Sequence, residues 1–321
     1  MNTQKPGTDT ISFLSVGTQI LSKDLMDQYI RSLGKYRTHY GLGGESAKRI
    51  LGEMQIDVII TEFWLPDGTA YDLIHDVHQI QKKNPIYCIL AIDEDNPDLR
   101  AIAKEMEVDS VLVKPFTAND LKDQIDKFLK KLDDKTSSDW LIFQADNAIK
   151  FKNYPQAEKY FQAALKAAPL EAKTQYRLGM YYLWKPDYEN AEKHFKQALT
   201  LNPKHVSALT GYGLLALRTN QFQLSESLLS QAQELSPLNP KRPVYMAQAR
   251  LEWGAHELKK AILKYPNSRE LQFEYGRFLV YQHDYAGAVQ MLRKLKLLKT
   301  DPFQKEVETL IQVACKLGAI Q

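Results

Sequence analysis

Residues Asp57–Gly68 read DVIITEFWLPDG. The aliphatic run Val58-Ile59-Ile60 predicts a strand buried on both faces, the kind found inside a parallel sheet. The run ends in a carboxylate, Glu62, followed by Phe63-Trp64-Leu65 and a Pro66-Asp67-Gly68 turn. Chemistry in open parallel sheets gathers just beyond the C-terminal ends of the strands. Glu62 stands at such an end, and its neighbours across the sheet decide what it can do.

Those neighbours come from the flanking segments. Ile11–Val16 (ISFLSV) predicts a strand stopped by Gly17-Thr18. Ser22–Leu33 carries Leu25, Met26, Tyr29, Ile30 and Leu33 at helical spacing, with Gly34 as a left-handed cap. A short strand over Tyr36–Tyr40 and a helix in GGESAKRILGEMQ precede the central strand. After it come a helix over Tyr71–Lys82, a buried strand over Ile86–Ala91, and a helix over Pro97–Met106 with Pro97 in its first turn. Ser110–Val113 is a last strand running into Lys114-Pro115-Phe116, and Asn119–Leu132 a last helix. Strands alternating with helices predict an α/β doubly wound sheet of five parallel strands. Right-handed crossovers put every strand's C-terminus on one edge, so Val16, Glu62, Leu90 and Lys114 converge there.

VLVKPFTANDLKDQIDKFLKKL and DVIITEFWLPDG together make residues 10–133 resemble the receiver domain of bacterial response regulators, especially single-domain chemotaxis regulators. The resemblance implies a flavodoxin-like fold and five site groups. These are an acidic pair after the first strand, an Asp after the third, a Thr or Ser after the fourth, and a Lys before Pro after the fifth. The acids would hold Mg²⁺, which needs hard oxygen ligands, while the Asp attacks a phosphoryl group in line. At the matching positions this chain has Gly17 and Thr18, Glu62, Leu90 or Ala91, and Lys114 backed by Pro115. One carboxylate and one neutral hydroxyl make a poor Mg²⁺ shell, and neither Leu90 nor Ala91 can hydrogen-bond a phosphoryl group. The expectation is a pseudo-receiver with no metal, no cofactor and no catalytic residue. Two readings of Glu62 and Lys114 stay open: relics on a packing scaffold, or an ion pair that permanently imitates the phosphorylated state.

Asp134–Ser138 is short and polar and reads as a linker between residues 1–133 and 139–321. Beyond it every pattern is helical and repeats. Ala157, Phe161, Ala164 and Pro169 recur 34 residues on as Ala191, Phe195, Ala198 and Pro203, and the next copy has Ser225, Leu229, Ala232 and Pro237. Gly179 likewise recurs as Gly213. This period resembles tetratricopeptide (TPR) repeats, each a helix pair with small residues at the close approach. Three full repeats (138–171, 172–205, 206–239), a shortened fourth (240–268), a fifth (269–302) and a capping helix over Pro302–Leu317 are expected, giving an all-α superhelix.

The resemblance implies a groove lined by the first helix of each repeat. Its positions are Ile142, Asp146 and Ile149, then Tyr176, Met180 and Trp184, then Leu214, Leu217 and Arg218, and in the fifth repeat Phe273, Arg277 and Tyr281. Trp, Tyr and Arg are typical hot-spot residues, so a peptide or helix of a protein partner is the expected ligand. Asp146 and Met180 stand where Asn would be needed to clamp a chaperone C-terminus, which argues against that ligand. Asn119–Leu132, where relatives associate, is the expected homodimer surface.

Composition narrows the function classes. The 321 residues carry a net charge of +3, which recommends neither nucleic acid nor anionic membrane. The basic run Arg293–Lys299 reads as a solvated helix face. Cys88 and Cys315 make no ligand pattern, the start MNTQKPGTDT lacks a signal-peptide core, and no apolar run approaches bilayer length. No phosphate loop or nucleophile motif is visible. The expectation is a cytoplasmic, non-enzymatic bacterial signalling adaptor. Two alternatives stay open: a phosphorylatable two-component response regulator with a protein-binding TPR output, and a TPR co-chaperone or assembly factor with an inert receiver cap.

Overall fold

The computed structural model describes residues 11–18, 36–80, 85–266, 268–293, 295 and 304–318. The helix expected over Ser22–Leu33, its Gly34 cap and most of the Arg293–Lys299 run lie outside the described residues. Strands β1 (Ile11–Val16), β2 (Tyr36–Gly41), β3 (Val58–Glu62), β4 (Tyr87–Ile92) and β5 (Ser110–Val113) form one sheet in the order β2-β1-β3-β4-β5. All its pairings are parallel. Helices α1 (Gly44–Glu53), α2 (Ala70–Ile80), α3 (Pro97–Glu105) and α4 (Ala118–Asp133) alternate with the strands.

Why the inner strands β3 and β4 are almost wholly apolar and buried follows from the two faces. Leu14, Val16, Ile59, Cys88 and Leu90 belong to one buried cluster with Ala47, Leu73, Ile74 and Ile102 of the helices. Phe13, Val58, Ile60, Ile89 and Ala91 belong to the other, with Leu121, Ile125 and Phe128 of α4. Successive side chains alternate between the faces, so a strand covered on both sides has no position left for water. Asn96 caps α3 by accepting from Asp98 N at 2.8 Å, and Thr117 and Asp120 cap α4 reciprocally.

The chain divides into two compact units, the first running to Leu215 and including Ser227–Pro243, the second formed by Ala216–Glu226 and the chain from Val244 onward. In the first, the expected linker is a hydrogen-bonded turn: Asp134 accepts from Thr136 N and Oγ1 at 3.1 and 2.8 Å. Ser137 then caps α5 (Ser138–Lys150). Helices α6 (Tyr154–Ala167), α7 (Ala172–Trp184), α8 (Tyr188–Leu201), α9 (Val206–Arg218) and α10 (Phe222–Leu235) follow. α5, α7 and α9 begin at Ser138, Ala172 and Val206, so the 34-residue period is the period of the helix pairs. Phe195 sets their spacing. A Cβ on Gly179, or on Gly211 of the following pair, would lie 2.7 Å from its ring. Gly211 is therefore the close-approach glycine facing Phe195 from the third repeat.

The second unit corrects the sequence reading. The shortened fourth repeat is not a helix pair but one 23-residue helix, α11 (Arg242–Lys264). Its residues after Pro243 contain no proline, and the stretch lost from the repeat is the one that would have held the turn. Helices α12 (Arg269–Tyr281) and α13 (Tyr285–Arg293) pair, and α14 (Gln304–Gly318) closes the array near the expected limits. Phe273, Leu292, Leu295 and Val307 form the core of this unit, beside a smaller cluster of Ala288, Val289 and Ala314.

Candidate functional site

β3 delivers Glu62 to the C-terminal edge of the sheet, in register with Ala91 of β4. Lys114, joined to Pro115 by a cis peptide, leaves β5 beside it. Its Nζ lies 2.7 Å from Oε1 of Glu62 and 2.8 Å from Oδ1 of Asp93. Burial works against the Lys114 charge, but the hydrogen bonds to Asp93 and Glu62 outweigh it and raise the pKa. The second carboxylate oxygen of Glu62 accepts from Thr18 N at 3.1 Å.

Gly17 makes room for this arrangement. Its φ is 134°, and a Cβ there would lie 2.3 Å from Oε2 of Glu62. The longer carboxylate thus fills the space in which a side chain at position 17 would begin. Of the edge positions, Gly17 and Thr18 supply no carboxylate, Leu90 and Ala91 are buried and apolar, and Lys114 already holds Glu62 and Asp93. This donor set does not fit a Mg²⁺ ion, which needs hard oxygen ligands in near-octahedral array: the acidic pair after β1 is missing, and Glu62 and Asp93 are both engaged by Lys114.

A second cluster lies within the first unit, between the sheet domain and the helix pairs. α3 ends at Glu105, whose side chain is 4% exposed and paired with the fully buried Arg242. Glu105 also accepts from Ser236 Oγ at 2.7 Å and Asn239 Nδ2 at 2.6 Å. Glu107 meets Arg177 at 2.8 Å and Lys173 at 3.6 Å. Further along, Lys131 of α4 bridges Asp109 at 2.6 Å and Asp139 at 3.0 Å, and Lys173 reaches Asp139 at 2.5 Å. Burial penalises the Asp139 charge, yet Lys173 and Lys131 prevail and hold its pKa at about 2. Burial raises the pKa of Asp146, against the pull of Arg177 3.6 Å away.

Several expected groove residues face this cluster rather than open solvent. Asp146, Ile149, Tyr176 and Met180 line a cavity of about 190 Å³ together with Tyr71, His75, Glu105, Met106 and Glu107 of the sheet domain, while Trp184 at its rim stays 56% exposed. Ile142 is 3% exposed and lies beside Ile86 and Phe128. Opposite charges draw the two surfaces together, so these expected groove positions of repeats one and two lie against the chain's own receiver-like domain. Leu214 and Leu217 are half-buried and Arg218 is exposed. In the second unit Phe273 is a core residue, because α13 and α14 pack onto it. Arg277 pairs with Glu274 at 3.1 Å, and Tyr281 is exposed. On α4, Leu121, Ile125 and Phe128 are buried, Lys131 is engaged within the chain, and Leu129 is exposed.

Comparison with known proteins agrees with both halves. Chemotaxis protein CheY of Pseudomonas aeruginosa is 26% identical over 108 residues, covering 34% of this chain and 87% of that protein. Two-component response regulator ORR7 of Oryza sativa subsp. japonica is 30% identical over 88 residues, 27% of this chain. The match spans only 42% of the rice protein's length. A profile of the middle TPR-like domain of cilia and flagella-associated protein 70 matches residues 99–255. The chain is a response-regulator receiver domain joined to tetratricopeptide-like repeats. Among solved structures, chemotaxis response regulator CheY4 of Vibrio cholerae superposes with a TM-score of 0.33 at 18% identity, covering 37% of this chain and 99% of that one. The Arabidopsis OM64 TPR domain does so with a TM-score of 0.34 at 19% identity, covering 35% and 93%.

Around this receiver, sequence reasoning missed Asp93, Glu105, Glu107, Arg177 and Arg242. Asp93 lies two residues after Ala91, and it completes the Lys114 cluster from one residue beyond the strand. The others are single charges on separate elements and carry no local signal. No helix among the described residues is long and apolar enough to cross a membrane.

Proposed function

We propose that the protein is a non-catalytic signalling adaptor whose pseudo-receiver (residues 1–133) works without phosphorylation and is coupled through residues 134–138 to a partner-binding TPR array (139–321). The observation that carries this reading is the closed bonding of Glu62. One oxygen is held by Lys114 at 2.7 Å and the other by Thr18 N at 3.1 Å, over a glycine that leaves the space. In a working receiver the Lys meets a phosphoryl oxygen. Here a fixed carboxylate meets it, so the edge holds one state and acts as a permanent stand-in for the modified form. TPR arrays serve protein–protein interaction, and this one takes a protein partner as its output.

The test compares Glu62→Gln and Lys114→Met variants with the parent, recovering partners from native extract and quantifying them by mass spectrometry. Glu62→Gln removes the charge with little change in shape, and Lys114→Met keeps the stem. Altered recovery with both variants is expected. Recovery unchanged with both would reject the mimic.

A further inference from the structure

Three carboxylates line the cavity of about 190 Å³, and two of them are fully engaged. Glu105 is held by Arg242, Ser236 and Asn239, and Glu107 by Arg177 and Lys173. The third, Asp146 on α5, receives no hydrogen bond at its carboxylate from any described residue. Arg177 stands off at 3.6 Å, because its guanidinium is turned to Glu107 at 2.8 Å. Burial raises the pKa of Asp146, and the attraction of Arg177 and Lys150 does not offset it. Tyr176 lines the same cavity, and its hydroxyl likewise makes no hydrogen bond with a described residue. Surrounded acceptors of this kind favour a ligand that donates to them.

The walls select the ligand further. Tyr176, Met180 and Trp184 recur every four residues on α7 and so share one face, while Tyr71 of α2 and Phe161 of α6 line the remainder. Ring faces are negative and attract cations, Trp and Tyr most of all. An anion would meet the three carboxylates. No group of His, Cys, Asp and Glu suited to a metal ion occurs among the described residues. The volume is below the roughly 300–1,000 Å³ of pockets for drug-sized ligands, so the occupant is small.

We propose that this cavity is a binding site for a small organic primary ammonium ion, its charged end bonded to Asp146 and the Tyr176 hydroxyl and its carbon skeleton between Tyr176, Met180 and Trp184. A primary ammonium brings three donors, which a quaternary one lacks, and two acceptors await them. The bound cation completes the Asp146 charge without disturbing the Glu105 or Glu107 pairs. Entry is past Trp184, which is 56% exposed at the rim. Because the cavity is lined from both the sheet domain and the repeats, the ligand gives the chain a chemical input that needs no phosphoryl group.

The experiment titrates the full chain with phenethylamine by isothermal calorimetry and follows tryptophan emission alongside. The probes 2-phenylethanol and phenethyltrimethylammonium keep the skeleton, the first without the charge and the second without the donors. The parent is expected to bind phenethylamine at least about tenfold more tightly than either. Asp146→Asn, which keeps the shape, is expected to weaken amine binding about tenfold or more and to abolish the preference over the alcohol. Tyr176→Phe removes only the hydroxyl and is expected to weaken binding roughly threefold. Trp184→Phe is expected to remove the emission change. Circular dichroism checks the fold of each variant; where Asp146→Asn fails to fold, the Tyr176→Phe result and the parent's preference among the three probes decide. Absence of saturable phenethylamine binding to the parent at millimolar concentration would overturn the site. So would equal affinity for the amine and the alcohol, or unchanged amine affinity in folded Asp146→Asn or Tyr176→Phe. No protein partner enters the measurement, so its outcome stands apart from the adaptor function.

Discussion

Oε2 of Glu62 lies 2.3 Å from where a Cβ on Gly17 would stand. The two residues therefore belong together: a longer carboxylate at the end of β3 is compatible with this edge because the residue after β1 has no side chain. The same glycine has a φ of 134°, which an L side chain rarely adopts.

Gly17→Ala is expected to destabilise the fold by about 2 kcal/mol or more, combining backbone strain with the contact to Glu62. Adding Glu62→Asp shortens the carboxylate and should restore only the part due to the contact. Urea denaturation of the single and double variants measures both. A neutral Gly17→Ala would mean that the Glu62 position is not fixed.

Glu105 and Arg242 are paired with almost no exposure, so breaking the pair from one side leaves a buried charge. Glu105→Ala or Arg242→Ala is expected to cost about 3–5 kcal/mol each, and the double variant less than their sum. Thermal or chemical unfolding of the three variants checks this.

The pH dependence has a definite sign. The pKa of Asp139 is lowered in the fold from 3.8 to about 2, so its contribution is present above about pH 4 and lost as pH falls through 2. The side chain keeps 33% exposure, so solvent screening reduces the contribution to below about 2 kcal/mol. Asp139→Asn is expected to flatten the stability curve between pH 4 and 2. Lys114, whose pKa is raised, acts at the other end: its contribution is intact below its ordinary value of 10.5 and is lost as pH climbs through the raised one.

Phe195 fills the approach between Gly179 and Gly211. Phe195→Ala is expected to cost about 3–5 kcal/mol by leaving a cavity, and Gly211→Ala about 1–3 kcal/mol by overpacking. Denaturant midpoints at unchanged slope would report both.

What the sequence disclosed depended on how far apart the informative residues were. Val58–Glu62 is apolar because both sheet faces are covered, a cause acting within one strand. The 34-residue period is visible because each repeat solves the same packing problem. Glu62 and Lys114 were placed together because the strand order of a doubly wound sheet is tightly constrained. Glu105 and Arg242 have no such rule, since an acid at a helix end and a distant arginine resemble ordinary surface charges. Extending the repeat frame beyond the segment that becomes the single helix α11 predicts Phe273 to face the groove. The packing of α13 and α14 makes it core instead.

The central claim is that the edge around Glu62 does not accept a phosphoryl group. Intact-mass measurement of the full chain after incubation with acetyl phosphate and Mg²⁺ tests it most directly. The predicted result is no phosphoryl adduct, with or without the metal. A Mg²⁺-dependent, hydroxylamine-sensitive adduct on the parent chain that disappears in Glu62→Gln would contradict it.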